Sequence, residues 1–272
     1  MQTAAELRIG SLYSYQPYVF EYLNQTILEN LVFLSNPGGF NDPWDCRPHF
    51  YSDVDDPKIR QAVISYYTTA YKKARPDGQI NIEEAISQLD KNPERLKGFM
   101  NKFSEGLFDD ICSQYRVRCL TTKPDNALMW GHYAAKHTGI CLEFDVQNPV
   151  FCGALKVEYN KDYPPFQLTD DSAEANVKIL TTKSDHWTYE DEYRLIALES
   201  TTKLATDQML VVNKGLLEIP EDSLRSIILG CLMPEEHKQQ VVDLLKRSGK
   251  KIILKEAVRL PNKYGFEIKD RA

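Results

Sequence analysis

The residues able to do chemistry in this 272-residue chain gather in three short clusters, each built around one of its three tryptophans. The last, KSDHWTYEDEYRL over residues 183–195, is the richest. Read as a strand over 189–198, it puts Glu190, Glu192, Arg194 and Ile196 on one face and Tyr189, Asp191, Tyr193 and Leu195 on the other. Two carboxylates about 7 Å apart along a strand, steadied by Arg194, can orient a substrate hydroxyl while one of them stabilises a developing cation or takes a proton. The same residues can equally form an exposed charged ladder with no chemistry. Lys183 can pair with a phosphate or with a neighbouring carboxylate, and sequence alone favours the carboxylate.

The middle cluster, LMWGHYAAKHTG over 128–139, has helical spacing. Trp130, Tyr133 and His137 fall on one stripe, Met129, His132 and Lys136 on another. Such a stripe is core, or it stacks on a flat ring, and periodicity does not choose. The first cluster, FNDPWD over 40–45, is a loop. Its Asn41, Asp42 and Asp45 can close turns on their own backbone or form the rim of a pocket or a metal site. A wall of aromatic residues mixed with polar groups is what a ligand pocket requires, and all three clusters supply it.

The elements that must carry these clusters read as mixed. Short strands are expected at Leu12–Tyr15, Leu31–Leu34, Arg116–Thr121, Gly139–Asp145 and Leu155–Tyr159, and later at Leu210–Val212, Leu224–Leu229, Lys251–Leu254 and Phe266–Ile268. Helices are expected at 19–31, at 127–136 behind an Asp125 or Asn126 cap, near 171–181, and at 234–247 behind Pro234. Residues 57–114 read as a helical insertion, clearest after Asn92-Pro93, where Leu96, Phe99, Met100, Phe103, Leu107 and Ile111 recur at helical steps. The expectation is one sheet-centred α+β domain over 1–272 with that helical lobe inserted.

Lys plus Arg number 33 against 39 Asp plus Glu, a net charge of −6, which disfavours a protein that wraps a nucleic-acid backbone. No apolar run nears the roughly 18–20 residues of a membrane span, and the first residues lack the pattern of a secretory signal, so a cytoplasmic protein away from membranes is expected. The six cysteines are scattered, with no C-x-x-C, and read as buried thiols rather than disulfides or metal ligands. There is no G-x-G-x-x-G, no P-loop, no H-E-x-x-H and no G-x-S-x-G.

The series LYSY, LVFLSNPGGFNDPWDC, RCLTTKPDNALMWGHYAAKHTGICLEFD, KSDHWTYEDEYRL and SIILG, from about residue 12 to 231, resembles the bacterial domain of unknown function 2971 family. That family name implies no activity. A second resemblance, to ADP-ribosyltransferases, does. Those enzymes carry an early His, Arg or Tyr, a middle aromatic or Ser element and a late Glu on a split sheet. This chain is similar in order, with Tyr13 and Tyr15 early, Trp130, His132 and Tyr133 in the middle, and Glu190-x-Glu192 late. It departs in having no plain H-Y-E and no Ser-Thr-Ser element.

The resemblance implies NAD as co-substrate, with Glu192 catalytic and Glu190 positioning an acceptor that is a protein, a nucleic acid, a small molecule or water. Asp42, Trp187 and Arg194 complete the expected binding set. No metal centre is expected. A defence or toxin role is compatible with a small NAD-consuming enzyme. Two other classes compete on the same residues. One is a non-catalytic module that senses a nucleotide or small molecule. The other is a metal-dependent nuclease using Asp42, Asp45, Glu190 and Glu192.

Overall fold

A computed structural model describes residues 1–48, 91–164, 173–202 and 209–271, together with positions 64, 65, 84 and 87. The expected lobe at 57–114 lies outside the described residues except for those positions and its final part. That part is a helix, α2, over Pro93–Gln114, which buries Phe108 and Ile111.

The fold is mixed α+β. Strands β1 (Ser11–Gln16), β3 (Tyr115–Thr121), β4 (Ile140–Asp145), β5 (Leu155–Lys156), β8 (Glu192–Glu199), β9 (Val211–Val212), β11 (Leu224–Leu229), β12 (Ile253–Arg259) and β13 (Phe266–Asp270) form one sheet. Its order is β13-β12-β11-β4-β1-β3-β8-β5, with β9 also alongside β8. Strands β2 (Leu31–Phe33) and β10 (Leu216–Glu218) make a separate pair, as do β6 (Glu158–Asn160) and β7 (Thr182–Ser184).

Helices cover both faces. Helix α1 (Phe20–Leu28) buries Leu23 and Ile27 at an i, i+4 step, and α5 (Glu235–Ser248) buries Val241 and Leu244. These pack in one core with Leu12, Leu120, Leu142, Phe144 and Leu195. On the opposite face α3 (Ala127–Tyr133) seats Trp130 and α4 (Ala173–Leu180) seats Ile179 and Leu180.

The sheet is weakly joined in its middle. β1 and β4 pair along their whole length, as do β3 and β8, but β1 meets β3 through one residue pair, Tyr13 with Thr121. Beyond that joint the strands part, and side chains bridge the gap: Ser14 Oγ donates to the Cys119 carbonyl (3.1 Å), and Arg118 Nη2 to Gln16 Oε1 (3.0 Å). Opposed residues of antiparallel strands share a face. The register therefore lines up Glu192, Thr121, Tyr13, Glu143 and Ser226 as a polar row across five strands.

The strand expected over Lys251–Leu254 runs Ile253–Arg259, and that expected over Leu155–Tyr159 divides into β5 and β6. Two boundaries beside the clusters move as well, each for a local reason. The helix expected over 127–136 stops at Tyr133, because Ala135, Lys136 and His137 all adopt left-handed backbone. The turn closes with the His137 N–H on the Trp130 carbonyl and the Gly139 N–H on that of Ala134, so the stripe Trp130–Tyr133–His137 is broken. The strand expected over 189–198 starts at Glu192. Residues Asp185–Glu190 form a 3-10 turn, and Asp191 is left-handed (φ 45°).

Gly230 must be glycine, since a Cβ there would run into the His137 carbonyl oxygen. Gly230→Ala is expected to destabilise the protein by about 1–3 kcal/mol through this overlap. A fall in the urea midpoint checks it, and an unchanged midpoint would show that the loop gives way freely.

Candidate active site

The late cluster is not an exposed ladder. Arg194 is 0% exposed and Glu192 1%. The Arg194 fork donates to both oxygens of Asp45 (2.9 and 2.6 Å) and both oxygens of Glu192 (2.8 and 3.1 Å), and also to the Leu180 carbonyl (2.8 Å). All five guanidinium N–H groups thus have acceptors. Lys183 Nζ sits 2.6 Å from Glu190 Oε2, 3.0 Å from Glu192 Oε2 and 3.7 Å from Asp45 Oδ2. Of the two alternatives for Lys183, the structure has the carboxylate pairing.

Local structure delivers each partner. Left-handed Asp191 swings Glu190 back beside Glu192 although Glu190 lies outside the strand. The Glu190 carbonyl accepts from Thr121 Oγ1 (2.5 Å), tying the turn to β3. Tyr133, at the end of α3, donates to Glu190 Oε1 (2.6 Å). The Glu192 N–H donates to the Tyr159 hydroxyl of β6 (2.8 Å).

Three carboxylates face two cations here, and the two glutamates respond in opposite directions. Burial pushes both carboxyls up. For Glu192 the charges of Arg194 and Lys183 outweigh burial and hold it near 2, whereas for Glu190 burial prevails and its proton affinity is raised above the ordinary value. Burial and the Glu190 charge keep the Tyr133 phenol protonated. A pair of carboxyls pushed apart in this way divides labour: one is a permanent anion, and the other can exchange a proton.

The cluster forms one wall of a cavity of about 710 Å³ at the β1–β3 joint. Glu190, Glu192, Tyr133, His132 and Lys183 line it on one face of the sheet, and Arg118, Tyr22 and Lys214 line it toward α1 and β10. Tyr13 and Tyr15 line it too, although their hydroxyls are used structurally, on Glu143 Oε1 (3.2 Å) and the Lys123 carbonyl (2.6 Å). A second cavity of about 610 Å³ shares Lys183 and is walled by Trp44, Trp187, Tyr189 and Asp42. Asp42 Oδ1 accepts from the Trp44 N–H (2.9 Å), closing the turn expected of this loop.

The sequence-selected residues therefore divide. Glu190, Glu192, Arg194, Tyr133 and His132 come together at or beside the first cavity, and Asp42 and Trp187 lie at the second. Trp130 is core: it is fully buried, donates to the Pro124 carbonyl (2.9 Å) and meets the Tyr15 ring edge-on at 5.1 Å. Sequence reasoning missed the pairing of Asp45 with Arg194, 149 residues apart, and it missed Arg118 and Cys119. Arg118 left a signal, a charge alternating with apolar positions in the strand YRVRCLT. Cys119 is a correction. It and the other five cysteines are free, but of these Cys46 and Cys141 are buried while Cys119 is exposed toward the cavity.

No group of three or more His, Cys, Asp or Glu among the described residues is arranged to hold a metal ion. A metal bound by Asp45 and Glu192 would have to displace Arg194, which already occupies all four of their oxygens. No helix among the described residues is long and apolar enough to cross a membrane.

Residues 129–195 match the family model described as protein of unknown function (DUF2971). This supports the first resemblance over a narrower span than its motifs cover, and the span includes Tyr133, Lys183, Glu190, Glu192 and Arg194. No curated protein and no solved structure matches the chain.

Proposed function

Residues 129–195 being a DUF2971 segment, whose description carries no activity, we propose that the first cavity cleaves the nicotinamide–ribose bond of NAD and transfers ADP-ribose to an acceptor. The observation that carries this reading is the buried glutamate pair with opposed proton affinities on a cavity wall, at the joint where the sheet parts. A cavity of about 710 Å³ falls within the roughly 300–1,000 Å³ of small-molecule sites.

The chemistry assigns roles that differ from the sequence expectation. As the nicotinamide leaves with the electron pair of the C–N bond, positive charge develops on the ribose, and an anion fixed beside it lowers the barrier. Glu192 takes three charge-assisted bonds, two from Arg194 and one from Lys183, so a substrate would have to break the Arg194 fork to reach it. Glu190, by contrast, holds one neutral donor, Tyr133, and shares the Lys183 ammonium. Glu192 is a positioning residue that anchors Lys183. Glu190 is the catalytic residue. Oriented by Tyr133 and Lys183, it faces the developing cation and then accepts the proton released by the incoming acceptor. Asp42 and the Trp187 ring, across Lys183 in the second cavity, are available to a more distant part of the substrate or to the acceptor.

Incubating the purified protein with NAD and following binding by calorimetry and nicotinamide release by chromatography tests this. Release is expected, with an acid limb set by protonation of Glu190, whose proton affinity is raised. Binding without release favours the sensing module, and activity that appears only with divalent metal and nucleic acid favours the nuclease. Absence of NAD binding at millimolar concentration removes the transferase.

A further inference from the structure

Among the described residues, Arg118 is a buried cation without an anion. It lies on β3, is 8% exposed and lines the first cavity. Its Nη1 donates to the Phe33 carbonyl (2.9 Å), and its Nη2 to the Gln16 side-chain oxygen (3.0 Å). Both acceptors are neutral. Its Nε is buried with no partner, and its guanidinium carbon sits 5.4 Å from the centre of the Phe144 ring, in the apolar core. Among the described residues no carboxylate pairs with it, in contrast to Arg194. Burying a charge in this way is costly unless a partner arrives. Burial lowers its proton affinity only to about 10, so it stays charged at neutral pH.

The cavity is also polarised. Its wall at Glu190 and Glu192 belongs to the cluster of three carboxylates and two cations, while Arg118 and Lys214 lie on the wall toward β10. A ligand suited to both ends carries an uncharged or cation-forming part and an oxyanion. We propose that Arg118 is the anchor for a phosphate-type oxyanion of the ligand that fills this cavity, on the far side of the β1–β3 joint from Glu190. Each terminal nitrogen of this guanidinium has one neutral acceptor for its two N–H groups, and a fork with donors to spare is the side chain best matched to such a group. The assignment deepens the nucleotide reading above and rests on it for the ligand's identity. Oxyanion capture itself requires no bond cleavage.

The test is thermal unfolding with sodium pyrophosphate, with sodium malonate and with sodium chloride at matched ionic strength, on wild type, Arg118→Met and Arg118→Gln. Pyrophosphate is expected to raise the wild-type Tm saturably by several degrees, on the order of the shift that ligand at about 100 times its Kd produces, while malonate and chloride do not. Arg118→Met should start above wild type, having lost an uncompensated buried charge, and should not respond. Arg118→Gln, which keeps polar bonding at the site, should not respond either. A residue kept only for structure would behave in the opposite way, its loss lowering the Tm. Pyrophosphate acting no better than chloride, malonate acting equally well, or either variant responding like wild type overturns the proposal. Nicotinamide release failing while the pyrophosphate response persists overturns the transferase reading alone.

Discussion

Arg194→Met is expected to destabilise the protein by about 3–5 kcal/mol, the range for removing one partner of a buried, hydrogen-bonded charge pair. The size follows from what is left behind. Asp45 and Glu192 would lose every guanidinium contact, retaining Lys183 at 3.7 and 3.0 Å, and neither carboxylate can rehydrate because both are buried. Arg194→Lys should rescue little, since the three donors of an ammonium cannot replace the five bonds that the planar fork makes to Asp45, Glu192 and the Leu180 carbonyl. Urea unfolding measures the loss, and a change below about 1 kcal/mol would mean that water enters the cluster and screens it.

The pH dependence follows from the same contact. Glu192 titrates near 2 in the folded protein, against 4.5 when unperturbed. A depressed carboxyl contributes stability that is complete above the unfolded value and is lost as pH falls through the folded one. Wild type should therefore lose this contribution between about pH 4.5 and 2. Arg194→Met should show a flatter profile across that window, having already lost most of the contribution.

How far the sequence carries is visible in that cluster. The turn at Asp42, the cap at Asn126, the strands β1, β3, β4 and β11 and the amphipathic helix near the C-terminus all depend on local chemistry, and each lies within a residue or two of where local rules put it. The co-location of Glu190, Glu192 and Arg194 was legible too, but for an incomplete reason. Period-two alternation holds for Glu192 and Arg194, whereas Glu190 joins them through a left-handed Asp191 that alternation does not describe. The failures are long-range. Trp130 reads as core or as a ring-stacking residue, and only Tyr15 and Phe266, which close over it, decide for core. Asp45 reads as a turn residue until a strand 149 positions away supplies its partner. Whether a charge is a solvated ladder or a buried network depends on which elements cover it, and no local pattern encodes that.

On the proposed cleavage of NAD, Glu190→Gln is expected to lower turnover by about 10²–10⁴-fold for loss of a positioned acid–base group, while leaving the Tm unchanged or higher. Among the described residues Asp45, Glu190 and Glu192 oppose only Lys183 and Arg194, and Glu190 is the member whose proton affinity is raised, with burial as the chief cause. A carboxyl raised in the folded state works against stability when ionised, so folding at neutral pH improves once that charge is gone. Glutamine balances the cluster at two charges of each sign. It can still accept from Lys183 through its oxygen while its amide donates to the Tyr133 hydroxyl, so neither neighbour is stranded. Glu192→Gln lacks this escape, because both its oxygens serve Arg194 and an amide would face a donor. The two conservative substitutions, two residues apart, should therefore split. One should lose turnover and keep its fold, as expected where activity is held at the expense of stability. The other should lose Tm first. If Glu190→Gln lowers the Tm as much as Glu192→Gln does, Glu190 belongs to the structural network, and the catalytic assignment falls whatever happens to turnover.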